Sequence, residues 1–113
     1  MSINHPDHRA AGQVVIDAIF PAAGSPFFFP DLLVKDGLEP HSVDEVWMSV
    51  TSTPNTILDV TEYWDRKIAA LSEHQSQVGD PDDFVKRMRS RYNPDYNPEQ
   101  PRYEEKFKRI IYK

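Results

Sequence analysis

Residues 5–12 read His-Pro-Asp-His-Arg-Ala-Ala-Gly and stand where an amphipathic helix is predicted to begin. Because proline disfavours the α conformation in the residue before it, Pro6 should hold His5 in the incoming loop. Asp7 can then cap the helix that carries His8 in its first turn. Imidazole is the commonest protein ligand for zinc, and a neighbouring carboxylate fixes its orientation, although short polar sequences of this kind also occur on ordinary protein surfaces.

The same stretch, followed by a hydrophobic helix, resembles the second motif of the LmbE-like, or PIG-L, family of zinc-dependent N-acetylglucosaminyl deacetylases. Four later segments resemble the family in the same order. They are the aromatic loop at residues 26–33, the next strand at 37–48, the K-x-x-A-L-x-x-H-x-S-Q segment at 67–77 and the closing helix that begins at residues 103–107. Several segments in one order are more specific than any one of them.

The resemblance implies an α/β fold: the C-terminal portion of a Rossmann-like three-layer α/β/α deacetylase domain, with one or two strands and about four helices over residues 1–113. The family's first motif, His-Pro-Asp-Asp-Glu, is absent from the chain. We therefore expect a fragment, a truncated gene or one half of a split enzyme. The missing strands should leave an exposed apolar surface.

The resemblance also implies roles for individual residues. His8 would be one zinc ligand, and the other two ligands and the catalytic base would come from the missing motif. His5 would stabilise the oxyanion or protonate the leaving amine, and Asp7 would orient its ring. By ligand count, the chain alone should bind zinc weakly and hydrolyse nothing.

His74 can be interpreted in two ways. It falls on the apolar stripe of a predicted helix, where a histidine is usually a hydrogen-bonded core residue. The family resemblance favours the alternative, in which His74, Ser76 and Gln77 close one edge of the active site.

Composition limits the class of protein. The chain has 113 residues and no cysteine, which excludes disulfides and thiolate zinc sites. Residues 1–85 hold four Lys/Arg and fourteen Asp/Glu, whereas residues 86–113 hold nine and four. The net charge of −5 argues against a nucleic-acid partner, and no apolar run is long enough for a membrane. We expect a cytoplasmic protein whose partners are a small amide or amino-sugar substrate and either the missing half or further copies of itself.

The aromatic run Phe27–Phe29 has two interpretations: it packs under the sheet, or it forms the wall of a pocket for an acyl group or sugar. The spacing of apolar residues along the chain predicts its helices and strands. The predicted helices cover residues 7–20, 59–77, 84–91 and 102–112, and the predicted strands cover 43–50 and 56–60. The first strand carries apolar residues on both faces, as strands of a parallel sheet do.

Two functions compete. The chain is either half of an N-deacetylase, with the other half in the same or a separate polypeptide, or a non-catalytic α/β interaction or regulatory fragment without metal.

Overall fold

The computed structural model describes residues 5–112, which form helices and strands in two compact units. Among the described residues, the first unit contains 5–48 and 109–112, and the second contains Ser49–Lys108. The helices are α1 (Pro6–Asp17), α2 (Pro30–Val34), α3 (Trp64–Ser72), α4 (Gln75–Val78) and α5 (Pro81–Arg89), and the strands are β1 (Glu45–Met48), β2 (Thr56–Asp59) and β3 (Glu104–Ile111). The predicted α/β class is confirmed.

Strand β3 belongs to both units, with residues up to Lys108 in the second and residues from Arg109 in the first. In the second unit, β2 runs antiparallel to β3, with Thr56 opposite Phe107 and Asp59 opposite Glu104. In the first unit, the backbone N–H of Tyr112 donates to the Asp44 carbonyl at 2.8 Å. The sheet is antiparallel, so the interpretation of the strand at 43–50 as part of a parallel sheet is wrong.

The hydrophobic core of the second unit forms where α3 and α5 meet the start of β3. Its buried side chains are Trp64, Ile68, Phe84, Met88 and Tyr103. The rings of Trp64 and Tyr103 stack with centroids 4.6 Å apart. Both rings keep a hydrogen bond inside the core, because Trp64 Nε1 donates to the Met88 carbonyl at 3.2 Å and the Tyr103 hydroxyl donates to the Arg89 carbonyl at 2.9 Å.

Residues at both ends of helix α5 stabilise the helix. Asp80 caps it by accepting a hydrogen bond from the backbone N–H of Asp83 at 3.0 Å, and Pro81 occupies the first helical position. Acidic residues follow in the first turn, while Lys86, Arg87 and Arg89 lie near its end, where they complement the helix dipole.

The first unit buries much less apolar surface. Helix α1 has no buried residue, and Val46 of β1 is the one buried hydrophobic side chain in the described part of this unit. Val14 is 67% exposed and Phe27 is 87% exposed. No helix within residues 5–112 is both long and apolar enough to cross a lipid bilayer.

Three predicted elements need correction. The helix predicted at 102–112 is strand β3, and the helix predicted at 59–77 is a strand end, a helical turn at Thr61–Tyr63 and two helices, α3 and α4. β1 is also not buried on both faces, because Trp47 is exposed beside the buried Val46. The second predicted strand is confirmed as β2, and α1 begins one residue before the predicted start.

Candidate functional site

His5 and His8 lie at the start of α1, in the first unit. His5 has extended backbone angles (φ −55°, ψ 142°), as its position before Pro6 predicts, and it occupies the cap position of the helix. Its Nδ1 atom accepts a hydrogen bond from the backbone N–H of Asp7 at 3.2 Å. The cap is therefore His5 and not Asp7, which lies within the first turn.

The two imidazoles are neighbours. Their ring centroids are 5.8 Å apart with the planes tilted by 55°. The Asp7 carboxylate lies 3.6 Å from His5 Nδ1, and the side chains of His5 and Asp7 are 64% and 87% exposed. Because Nδ1 already accepts a backbone hydrogen bond, the neutral ring of His5 carries its proton on Nε2, where it can be donated.

The cluster of His5, Asp7 and His8 lacks the arrangement of ligands that a catalytic zinc needs. A catalytic zinc takes about three protein ligands, but no group of three His, Asp or Glu side chains within residues 5–112 is arranged to hold a metal ion. His8 and its neighbours therefore do not form a zinc site by themselves.

His74, Ser76 and Gln77 lie in the second unit, at and just inside the start of α4. His74 precedes the helix, with its backbone N–H donating to the Leu71 carbonyl at 3.1 Å. All three residues are exposed. The prediction that His74 lies on the buried stripe of α3 is wrong, because α3 ends at Ser72 and the chain turns before the stripe could reach residue 74.

The phenylalanine run does not pack under the sheet. Phe27 and Phe29 remain largely exposed. Phe28 and Phe29, together with Val14 and Pro21, line an apolar surface cavity of about 480 Å³ in the first unit. The interpretation as a buried core segment is wrong for the described structure, and the pocket interpretation stays a prediction.

The second unit contains an open cavity of about 530 Å³ that the sequence analysis missed. The polar side chains that line it include Asp59, Thr61, Asp65, Arg89, Tyr96, Gln100 and Arg102. Hydrogen bonds from the Thr61 hydroxyl and backbone N–H lower the pKa of Asp59, with a smaller contribution from the Arg102 charge. No local motif announces this cavity, because its residues come from β2, α3, α5 and a proline-rich loop.

Comparison with known proteins finds a similarity to a deacetylase. The chain is 40% identical over 73 residues to the diacetylchitobiose deacetylase of Thermococcus kodakarensis. The matched region is 65% of this chain but only 27% of the relative's length. No protein-family profile matches the chain, and no solved structure matches it. The similarity supports a deacetylase relationship for part of such a protein.

Proposed function

We propose that residues 1–113 are the C-terminal half of a zinc-dependent, LmbE-like deacetylase that removes an acetyl group from an N-acetylglucosamine-type or related amide substrate, in the cytoplasm. The observation that carries this proposal is the pair of adjacent imidazoles at the start of α1, with ring centroids 5.8 Å apart. The similarity to a diacetylchitobiose deacetylase supports it.

In this proposal, His8 is a zinc ligand, and the remaining ligands and the catalytic base are supplied from outside residues 1–113. Zinc, when bound in such a site, makes hydroxide available near neutral pH and polarises an amide carbonyl. His5 would donate from Nε2 to the oxyanion, since its Nδ1 accepts from the backbone N–H of Asp7. To protonate the leaving amine, the ring would first have to take up a second proton on Nδ1, which would displace that backbone hydrogen bond. The Asp7 carboxylate lies 3.6 Å from His5 Nδ1 and would orient that ring. His74, Ser76 and Gln77 contribute one edge of the substrate site.

The exposed apolar surface of the first unit supports a missing partner half. No side chain of α1 is buried, and Val14 and Val15 on this helix are more than half exposed. Phe20, which follows the helix, is also more than half exposed. Apolar residues that recur on one helix normally pack against another element. An upstream half of the same domain would supply that element.

The test is to supply the missing half. The chain is co-expressed with the part of the diacetylchitobiose deacetylase that precedes its matched region, and the co-purified complex is analysed for zinc and for release of acetate from N,N′-diacetylchitobiose. We expect about one zinc per complex and measurable deacetylation, whereas the chain alone gives neither at comparable levels.

The matched variants are His8→Ala and His41→Ala, since His41 is an exposed histidine in the same unit. The first should remove most of the zinc and the second should leave it unchanged. Unchanged zinc in His8→Ala would disprove the ligand assignment, whereas a complex with neither zinc nor activity would favour the non-catalytic interaction fragment. His5→Gln should retain zinc but lower kcat by at least tenfold, consistent with loss of a general acid.

A further inference from the structure

We propose that the open cavity of the second unit binds a neutral saccharide through Tyr96, Arg102 and Asp59. The cavity lies wholly within Ser49–Lys108, whereas the proposed zinc ligand is in the first unit. The proposal therefore goes beyond the deacetylase chemistry and does not require a metal ion.

The charges that line the cavity are balanced. The Arg89 guanidinium lies 3.1 Å from the Asp65 carboxylate, and the Arg102 guanidinium lies 3.6 Å from the Asp59 carboxylate. An anionic ligand would need an excess of cationic groups, and a cationic ligand would need an excess of carboxylates. The lining offers neither excess, so it favours an uncharged ligand that is rich in polar groups.

The hydrogen-bonding groups of the cavity include both donors and acceptors. Arg102 contributes its guanidinium to the lining as a donor group, while its Nε faces Glu104 Oε1 at 2.9 Å in an ion pair. Asp59 uses Oδ1 to accept from Thr61, which leaves Oδ2 with acceptor capacity. Gln100 and Tyr96 add groups that both donate and accept. Sugar hydroxyls also do both, and they match such a mixed lining.

The cavity also has an aromatic wall. The Arg102 guanidinium lies 4.7 Å from the centroid of the Tyr96 ring, close enough for a cation–π interaction that positions the ring. Tyr96 nevertheless remains 43% exposed, so part of the ring is available to the apolar C–H face of a pyranose. A cavity of about 530 Å³ has room for one or two sugar rings.

The experiment is a titration of the full ¹⁵N-labelled chain, followed by NMR in the presence of EDTA. The neutral probes are N,N′-diacetylchitobiose and maltose, and the charged probes are chitobiose, a diamine, and glucose 1-phosphate. We expect saturable shifts at residues 59–65 and 96–103 with at least one neutral probe below about 10 mM, and weaker binding of both charged probes. Absence of saturable shifts with either neutral probe, or tighter binding of a charged probe, would overturn the proposal.

Two variants and a matched control test the aromatic wall. Tyr96→Ala should weaken binding of the neutral probe at least fivefold, and Tyr63→Ala, which removes an exposed tyrosine outside the cavity, should leave it within twofold. Gln100→Ala, in an exposed loop, should weaken binding at least twofold and serves if Tyr96→Ala does not fold. Unchanged binding in a folded Tyr96→Ala, or in Gln100→Ala where that variant replaces it, contradicts the proposal.

The two proposals are tested by independent measurements, so either can be disproved without the other. Saccharide binding in EDTA tests the second-unit cavity alone, whereas zinc content of the co-expressed complex tests the first-unit histidines alone.

Discussion

Asp59 ends β2 with its Oδ1 atom accepting two hydrogen bonds from Thr61, from the backbone N–H at 3.1 Å and from the hydroxyl at 2.7 Å. These bonds lower the pKa of Asp59 in the folded chain. A carboxyl whose folded pKa is lowered stabilises the fold above its unfolded-state pKa, and that contribution is lost as the pH falls through the folded pKa.

Thr61→Val therefore should raise the pKa of Asp59 toward its ordinary value, because the stronger of the two hydrogen bonds is removed. Carboxyl ¹³C NMR of Asp59 across the acid range measures this shift directly. Thr56→Val, also on β2, is the control and should leave the Asp59 titration unchanged. An unchanged Asp59 titration in Thr61→Val would mean that the hydroxyl has no electrostatic role. The valine also removes the acceptor for the Tyr103 backbone N–H, so a loss of stability at neutral pH is expected alongside it.

At the scale of elements, the second unit depends on the packing of α5 against α3. Met88 is 1% exposed and is the most completely buried large side chain within residues 5–112. Met88→Ala removes its buried methylene groups and leaves a cavity, which costs about 2–5 kcal/mol of the free energy of unfolding. Urea denaturation followed by tryptophan fluorescence measures the change, since Trp64 lies in the same core.

Lys86→Ala is the matched control for that measurement, because it lies on the same helix with an exposed side chain. Its ion pair with Asp83 is long, 3.8 Å, and solvent-exposed, so its loss should change the free energy of unfolding by less than about 0.5 kcal/mol. Equal effects of the two substitutions would show that helix propensity, and not core packing, determines the stability of α5.

The elements also show what could be predicted from sequence. The core positions Trp64 and Ile68 follow directly from helical spacing, and both are buried. Tyr103, Phe107 and Ile110 have the same spacing, yet they lie at the start and along the length of a strand. Tertiary pairing decides this segment, because β3 pairs with β2 and Glu105 pairs with Lys67 of α3. Local periodicity contains no information about such partners.

The two candidate sites also differ in how far they could be predicted from the sequence. His5 and His8 are close in sequence, so their proximity at the start of α1 is predictable from helix geometry. The cavity around Tyr96 and Arg102 is not, because its position depends on how β2, α5 and the proline-rich loop come together. Sequence reasoning therefore finds clusters formed by one helix turn and misses those formed by distant segments.

At the scale of the whole chain, the two units differ in how much apolar surface they bury, and their stabilities should differ accordingly. The second unit has five buried core residues, whereas the described part of the first has Val46 alone. Segments with few buried contacts open with free energies near zero, and core helices open only with global unfolding. Native-state hydrogen exchange should therefore give protection factors at least tenfold higher for α5 than for α1. Equal protection of the two helices would show that the chain unfolds as one cooperative unit.

The same measurement tests whether a missing half covers α1. Addition of the upstream deacetylase segment should raise the protection of α1 amides at least tenfold, because its exposed Val14 and Val15 would then be buried. Amides of α5, whose core already exists in the isolated chain, should change much less and serve as the internal control. A rise in α5 alone, or no rise in either helix, would place the partner surface somewhere other than on α1.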